Sequence, residues 1–339
     1  MRRRAKNLRF CFSPAILQAK DFDRTHLMAN SLAARTPTQD VKKRMSRRTL
    51  GARLSPYLWV LPALLLYLVF KLVPLIGGVG LSLLRWDGIA EPVFVGLQNF
   101  ERMFDDEALL PALLHNVQYA LGTVAGKMAL ALLLALLINQ SLRGRGIYRT
   151  ALFMPVVMSF VVVGILWAWL YNNQFGLINN LLRAVGFTTT PDWLGNPRIA
   201  MWSLIIVDIW KWYGFHMVIF LAGLQTIPAE LYDAALVDGA GRWKQFLNVT
   251  LPLLRPVIIV NVTLSLMGAL NVFDIPYIMT EGGPANSTNV LALHIYIQSF
   301  KFYRLGYGAA LSYALFVFVS VIALLQIRFM ARGSEGAEG

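Results

Sequence analysis

The sequence predicts an all-α integral membrane protein with six transmembrane helices, both termini on the cytoplasmic side and a helical loop between the fourth and fifth spans. Three observations predict this fold: an apolar composition, six stretches of membrane-spanning length, and an uneven distribution of Lys and Arg. Of the 339 residues, 57% are apolar and 14% are charged, and the mean hydropathy is +0.55. Because a soluble chain carries about 25% charged residues, lipid must replace water over much of the surface. The single cysteine, Cys11, excludes a disulfide within the chain.

Six apolar stretches each meet the requirement of about 20 residues for crossing a bilayer core. They cover approximately residues 56–84, 112–138, 151–171, 200–224, 256–280 and 309–330. The fourth contains Asp208 and Lys211, and each opposes insertion by about 2.5–3.5 kcal/mol near a helix centre. We therefore expect the fourth span inside the bundle, where polar groups find partners. Because the two residues lie three apart on one helix face, one interpretation is that they neutralise each other.

The net charge of +13 belongs mainly to the N-terminal segment. Residues 1–55 hold 14 of the 31 Lys and Arg residues and 3 of the 18 Asp and Glu residues. We predict a basic, disordered cytoplasmic tail here, and no nucleic-acid binding, because no aromatic platform accompanies the charge. Met45 begins a compact basic lead into the first span. One hypothesis is that Met45 is the functional start, or that the first 44 residues are dispensable.

The connecting segments give the orientation. The tail, the second and fourth connections and the C-terminal end together hold 22 Lys and Arg residues, whereas the alternate connections hold 6. By the positive-inside rule both termini are cytoplasmic, with residues 333–339 as a short C-terminal tail. The chain is therefore expected to cross a bacterial-type cytoplasmic membrane six times.

The loop over residues 228–252 is too structured for a simple connector. Pro228 suits a first helical turn, and Glu230 and Asp233 lie near the positive end of the helix dipole. Gly239 can end the helix in the left-handed conformation. A second short helix, over about 243–249, would lead back into the membrane. This pattern predicts a rigid cytoplasmic protrusion, and the alternative is an amphipathic helix lying on lipid.

Residues 233–240, with Leu251 and Pro252 downstream, resemble the EAA loop in the membrane subunits of binding-protein-dependent ABC importers. Residues 273–274, 280–285 and 306–312 resemble the carbohydrate-uptake branch, of the maltose and glycerol-phosphate permease type. The similarity covers the six-span domain, residues 56–332. It implies a coupling helix that docks an ATPase subunit, through Asp233, Ala234, Ala235, Asp238, Gly239, Leu251 and Pro252.

Two departures from the family pattern concern this loop. The leading glutamate of the family is Asp233 here, which keeps the charge and shortens the reach by one methylene. The isoleucine ahead of the terminal Leu-Pro is Val249, a change of little consequence. The docking is still expected, although the contact made by the acid can differ.

The chain itself lacks a nucleotide-binding loop. The pattern G-x-x-x-x-G-K-[ST] does not occur, and the nearest string, around Gly122 and Gly126, is better interpreted as a helix contact between small residues. The chain is therefore not expected to be an enzyme, and ATP and Mg should bind to partner ATPase subunits. The resemblance implies two such subunits, a second six-span permease and an external solute-binding protein, assembled in the lipid bilayer.

Polar and aromatic residues within the spans are candidates for the solute path. We expect neither catalytic nor metal-binding residues, because the four histidines are scattered along the chain. A hydroxyl-rich solute needs hydrogen-bonding and stacking groups, and the candidates are Asp208, Trp210, Lys211, Tyr213, Asn271, Phe273 and Asp274. An ion-coupled transporter using Asp208, Lys211 or Asp274 is the alternative. It leaves the 228–252 loop unexplained, as a channel or a structural bundle would.

Overall fold

The computed structural model describes residues 57–140 and 143–335. The chain divides into two compact units, Met1–Leu66 and Tyr67–Gly339. Only residues 57–66 of the first unit are described, and they are helical. The predictions about residues 1–55, including Met45, and about residues 336–339 lie outside the described part of the chain.

The described ranges are almost entirely helical, with one short antiparallel pair of strands. The strands are β1 (Leu84–Arg85) and β2 (Val93–Phe94). The helices are α1 (Tyr57–Ser82), α2 (Gln98–Glu101), α3 (Leu109–Asn139), α4 (Arg145–Val157), α5 (Phe160–Leu170), α6 (Leu177–Ala184), α7 (Ala200–Leu224), α8 (Ala229–Val237), α9 (Arg242–Leu270), α10 (Asp274–Thr280), α11 (Leu291–Tyr296, continued by a wider turn over Ile297–Lys301) and α12 (Leu305–Glu335).

Within residues 57–140 and 143–335, five helices are long and apolar enough to cross a membrane: α1, α3, α7, α9 and α12. A sixth span arises if α4 and α5 are counted together, although they are bent by 97° where they meet. The predicted third span, 151–171, is therefore two helices. Met158 has an extended backbone, and the Ser159 hydroxyl accepts a hydrogen bond from the Val162 N–H at 3.3 Å, which starts α5 anew.

The fifth span differs from its prediction at both ends. Helix α9 already begins at Arg242, so the predicted separate helix over 243–249 is its first part. At the other end α9 stops at Leu270, and α10 begins only at Asp274. Pro276 explains this break, because in a continuous helix its ring would clash with the carbonyl of Val272. The predicted span 256–280 is thus interrupted at residues 271–273.

Helices α3 and α7 pack closely at the centre of the structure. A Cβ on Gly126 would lie 2.2 Å from Cδ1 of Ile209, and one on Gly122 would lie 2.9 Å from Cδ1 of Ile205. The predicted contact through small residues is therefore confirmed. Outward-facing leucines of α3, such as Leu121, and valines of α12 are exposed, which is the surface expected of helices surrounded by lipid.

Candidate functional site

The connection between α7 and α9 carries the exposed helix α8. Its C-terminus is closed by Gly239, whose φ of +74° lies in the left-handed region. The Gly239 N–H donates to the Leu236 carbonyl at 3.0 Å, and the Ala240 N–H donates to the Ala235 carbonyl at 2.9 Å. This pair of hydrogen bonds is a Schellman motif, which stops a helix at a defined residue. Helix α8 therefore ends as the position of Gly239 predicts.

Side-chain hydrogen bonds attach α8 and its following turn to the first part of α9. The Tyr232 hydroxyl lies 3.0 Å from the Thr250 hydroxyl, and the Gln245 amide donates to the Ala240 carbonyl at 3.0 Å. From there α9 runs without interruption to Leu270. Helix α8 and its following turn are thus bonded to a long apolar helix.

The predicted docking residues lie mostly on the surface of this loop. Exposed members are Asp233, Ala234, Asp238, Gly239 and Pro252, and half-buried members are Ala235 and Leu251. Sequence reasoning missed three large apolar side chains that are also exposed here: Leu236 at 61%, Val237 at 88% and Trp243 at 70%. Leu236 and Val237 lie within the motif over residues 233–240, and Trp243 follows it in the sequence.

The buried charges of the bundle are arranged differently from the prediction. Nζ of Lys127 lies 2.7 Å from Oδ2 of Asp208, and both side chains are buried. Asp208 is therefore neutralised by Lys127 of α3, and the interpretation that it pairs with Lys211 is wrong. Spacing along one helix could not reveal this partner, because it depends on how α3 and α7 pack.

Lys211 lies instead at the bend between α4 and α5. Its ammonium donates to the Met158 carbonyl at 2.6 Å and to the Val156 carbonyl at 3.3 Å. The centre of the Phe160 ring is 4.6 Å from Nζ. Asp208 and Lys211 are thus both buried and already bound to other groups of the chain.

The break between α9 and α10 exposes two of the predicted path residues. Asn271 and Asp274 are exposed, and Asn271 uses its amide to bond the Met267 carbonyl at 2.9 Å. The Phe273 ring stacks on Tyr277 at 5.1 Å and meets Tyr296 edge-on at 5.3 Å. Sequence reasoning did not include these two tyrosines among the path candidates.

The other predicted aromatic residues are on α7 and do not join that cluster of rings. Trp210 is half-buried and packs edge-on against Trp167 at 5.5 Å. Tyr213 is 9% exposed. The structure therefore groups Asn271, Phe273 and Asp274 at one place and leaves the α7 residues largely within the core.

Of the histidines in the described ranges, His115 and His216 each bond to one partner, whereas His294 bonds to both Asp106 and the Asn289 side chain. His216 lies 2.8 Å from the Asn261 amide oxygen, His115 lies 3.0 Å from the Asn289 carbonyl, and His294 lies 2.9 Å from an Asp106 oxygen. Across residues 57–140 and 143–335, no group of three or more His, Cys, Asp or Glu side chains is placed to hold a metal ion. His26 lies outside these ranges.

Asp106 joins the segment before α3 to α11 and α12. It accepts hydrogen bonds from His294 at 2.9 Å and from the Tyr307 hydroxyl at 2.6 Å. Burial raises the pKa of Asp106, but the hydrogen bonds from Tyr307 and His294 outweigh it, so the pKa lies below the ordinary value.

An apolar helical bundle with a structured loop between two spans defines a multi-pass membrane permease of the ABC type. Residues 127–332 match the family described as "Binding-protein-dependent transport system inner membrane component". The chain belongs to this family, which confirms the predicted resemblance to the membrane subunits of binding-protein-dependent ABC importers.

Individual relatives cover most of the chain. It is 36% identical to the probable ABC transporter permease protein YurN of Bacillus subtilis, over 84% of this chain and 98% of that protein. It is 37% identical to the trehalose/maltose transport system permease protein MalF of Thermococcus litoralis, over 79% and 90% of the two chains.

Solved structures agree with this assignment. The chain is similar to a chain in the crystal structure of a bacterial ABC transporter involved in the import of the acidic polysaccharide alginate, with a TM-score of 0.70 and 26% identity. The match covers 88% of this chain and 99% of the chain in that structure. A second structure shows the bacterial alginate transporter in complex with an alginate pentasaccharide-bound periplasmic protein, at a TM-score of 0.69 and 25% identity, covering 86% and 96%.

Proposed function

We propose that this chain is the transmembrane permease subunit of an ATP-driven importer for a sugar or related polyol. It works by alternating access in a bacterial-type cytoplasmic membrane, with both termini cytoplasmic. Its partners are two ATPase subunits, which bind ATP and Mg, a second six-span permease and an external solute-binding protein. The names of the relatives support the carbohydrate class, and the alginate transporter complex supports an external binding protein.

The observation that carries this proposal is helix α8. It presents Leu236 and Val237 to solvent beside Asp233 and Asp238, and its residues include no Lys or Arg. Helices that lie on a membrane surface are rich in Lys and Arg, because cytoplasmic leaflets are anionic. An acidic helix with exposed apolar side chains fits a protein partner better than lipid.

The attachment of α8 provides the coupling. When ATP closes the two ATPase subunits, they displace α8, and the hydrogen bonds of Tyr232 and Gln245 pass the displacement to α9. Since α9 ends at the break before α10, its movement as a rigid body reorients the exposed residues there. Coupling is mechanical, because solute and nucleotide never meet.

The break at residues 271–273 is the proposed solute path. Non-helical backbone at membrane depth is tolerated only where it is buried in protein or lines a water-filled cavity. Asn271 and Asp274 supply hydrogen-bonding groups, and Phe273 supplies a ring on which a sugar can stack. Because Asn271 and Asp274 are exposed in the single chain, the second permease completes the cavity.

The ion-coupled alternative loses its main support in this structure. Asp208 is paired with Lys127, and Lys211 is bonded to backbone carbonyls. Two of the three groups that would bind a coupling ion are therefore engaged in holding the helices together.

Association with the ATPase tests the proposal. In Gly239→Pro the left-handed turn after α8 cannot form, since proline requires a φ near −65°. We expect the variant to insert into the membrane and to lose the ATPase subunits on purification. Gly186→Pro is the matched control, because Gly186 also has a positive φ, +106°, but lies after α6 and not after α8. The Gly186→Pro variant should keep the ATPase subunits on purification. Retention of the ATPase by Gly239→Pro, or transport in vesicles without any ATPase subunit, would overturn the proposal.

A further inference from the structure

The bend between α4 and α5 creates a local deficit of hydrogen-bond donors. The last carbonyls of any helix lack intrahelical partners, and at membrane depth water is not available to replace them. At this bend the Met158 N–H donates to the Pro155 carbonyl at 3.3 Å. The remaining acceptors of the turn need donors from another part of the chain.

Lys211 supplies these donors. Its ammonium has three N–H groups, and three carbonyls lie around it, those of Met158 at 2.6 Å, Val156 at 3.3 Å and Pro155 at 3.5 Å. The side chain is 2% exposed. A cation is also the charge that the negative end of the α4 dipole favours.

Aromatic rings complete the environment of the ammonium. Nζ lies 4.6 Å from the centre of the Phe160 ring and 5.2 Å from that of Trp212, within the range of cation–π attraction. Within residues 57–140 and 143–335 the ion pairs are Lys127–Asp208, His294–Asp106 and Lys301–Glu281. Lys211 is in none of them, so carbonyls and rings take the place of a carboxylate.

The close approach of α7 to α4 brings Lys211 into this position. A Cβ on Gly214, one turn further along α7, would lie 2.2 Å from the Leu152 carbonyl oxygen. The backbones therefore touch at Gly214, and the lysine extends from the same face of α7 to the end of α4.

The bend in turn determines where α5 packs. A Cβ on Gly164 of α5 would lie 2.6 Å from Cγ2 of Ile278, which belongs to α10. Helix α10 begins at Asp274, at the proposed solute path. The contacts thus connect Lys211 through the bend and α5 to the exposed residues between α9 and α10.

We propose that Lys211 is a positioning residue: its ammonium holds the 97° bend of the third span and so places α5 against α10. Lys211 binds neither solute nor a coupling ion. The effect on the solute path rests on the proposed function, whereas the role at the bend does not.

The geometry of the bend can be measured by the distance between two spin labels. The experiment uses the full chain within the assembled transporter in lipid nanodiscs. Cys11→Ser removes the native thiol. Tyr148→Cys on α4 and Trp169→Cys on α5 supply exposed attachment sites for the labels. Helix α5 is about 16 Å long, so a 20° change moves its far end by about 5 Å. We expect Lys211→Met to shift or broaden the distance distribution by that amount, and Lys211→Arg, which keeps donors and charge, to preserve it.

A matched control removes the other buried lysine of the bundle. Lys127→Met combined with Asp208→Leu replaces the ion pair by apolar side chains, and this double variant should leave the spin-label distances unchanged. An unchanged distribution in Lys211→Met overturns the proposal. So does an equal shift in Lys211→Met, Lys211→Arg and the double variant, because the ammonium would then have no particular role.

The effect of Lys211 on the proposed solute path is measured separately, by the labelling rate of a cysteine there. In the Cys11→Ser chain, Asn271→Cys is labelled with a sulfonated, membrane-impermeant maleimide, with Leu121→Cys, on the outward-facing side of α3, as the unreactive control. We expect Lys211→Met to change the labelling rate at position 271 by about threefold or more, as for couplings of 0.5–2 kcal/mol. If the bend changes and this rate does not, Lys211 shapes the bend without positioning the path. That outcome overturns the proposed link and leaves the ATPase association test unaffected.

Discussion

Two lysines buried in the bundle avoid the cost of an unpaired charge in different ways. Lys127 pairs with Asp208 at 2.7 Å, whereas Lys211 donates to backbone carbonyls at a helix end. Each arrangement depends on a residue from another helix. For that reason the sequence indicated that Asp208 and Lys211 need partners, but it could not identify them.

The ion pair between Lys127 and Asp208 can be tested through its effect on the free energy of unfolding. Lys127→Met leaves the Asp208 carboxylate buried without a partner, which should lower the free energy of unfolding by about 3–5 kcal/mol. Replacing both partners, in Lys127→Met with Asp208→Leu, should cost much less, because no uncompensated charge remains. Denaturant unfolding in detergent measures both values. A double variant as unstable as the single one would contradict this explanation.

The contribution of Asp106 to stability should depend on pH. Since its folded pKa is lowered, its contribution to stability is present above the unfolded pKa, about 3.9, and is lost as the pH falls through the folded pKa. The melting temperature of the native chain should therefore exceed that of Asp106→Asn near pH 5, and the difference should shrink as the pH falls below about 4. A difference that persists unchanged at low pH would exclude this role.

At the scale of elements, the spans were predictable and their interruptions were only partly so. Hydropathy belongs to contiguous segments, so four of the six predicted spans coincide with the single helices α1, α3, α7 and α12. Pro276 indicated a disturbance in the fifth span, and the structure has a complete break there. In the third span Pro155, three residues before Met158, indicated a possible interruption, but its position does not determine a bend of 97°. That bend depends on Lys211 and Gly214 of another helix, which sequence spacing cannot show.

Helix packing at Gly214 is testable by adding a single methyl group. In Gly214→Ala the new Cβ would meet the Leu152 carbonyl oxygen at 2.2 Å, and the rigid backbone cannot yield, so we expect a loss of about 1–3 kcal/mol in unfolding free energy. Gly268→Ala in α9 is the control, since nothing lies within 4 Å of its Cβ. The control should be neutral or stabilising by up to about 1 kcal/mol. Equal stability of the two variants would show that α4 and α7 do not touch there.

At the scale of the whole molecule, the chain combines an apolar helical bundle with two proposed functional regions. One is the exposed loop around α8, and the other is the broken span at residues 271–273. The exposed helical loop could be predicted because its motif is a continuous stretch of sequence. Of the residues proposed for the solute path, Asn271, Phe273 and Asp274 lie together, whereas Asp208 and Lys211 are engaged elsewhere.

The N-terminal tail is expected to be dispensable. Residues 1–44 show no apolar periodicity, and the basic lead into the first span begins at Met45. A chain starting at Met45 should therefore insert, retain the ATPase subunits and support uptake at the level of the full chain. A clear loss of uptake at equal expression would reject this hypothesis.

Cross-linking from α8 tests the central claim most directly. In the Cys11→Ser chain, Val237→Cys places a thiol at an 88% exposed position of the loop, and Trp169→Cys places one at a 70% exposed position of α5. With a short bifunctional maleimide in native membranes, the account predicts a cross-linked product with an ATPase subunit from position 237 and none from position 169. Labelling of position 237 by lipid-soluble reagents alone, with no product that contains an ATPase, would contradict it.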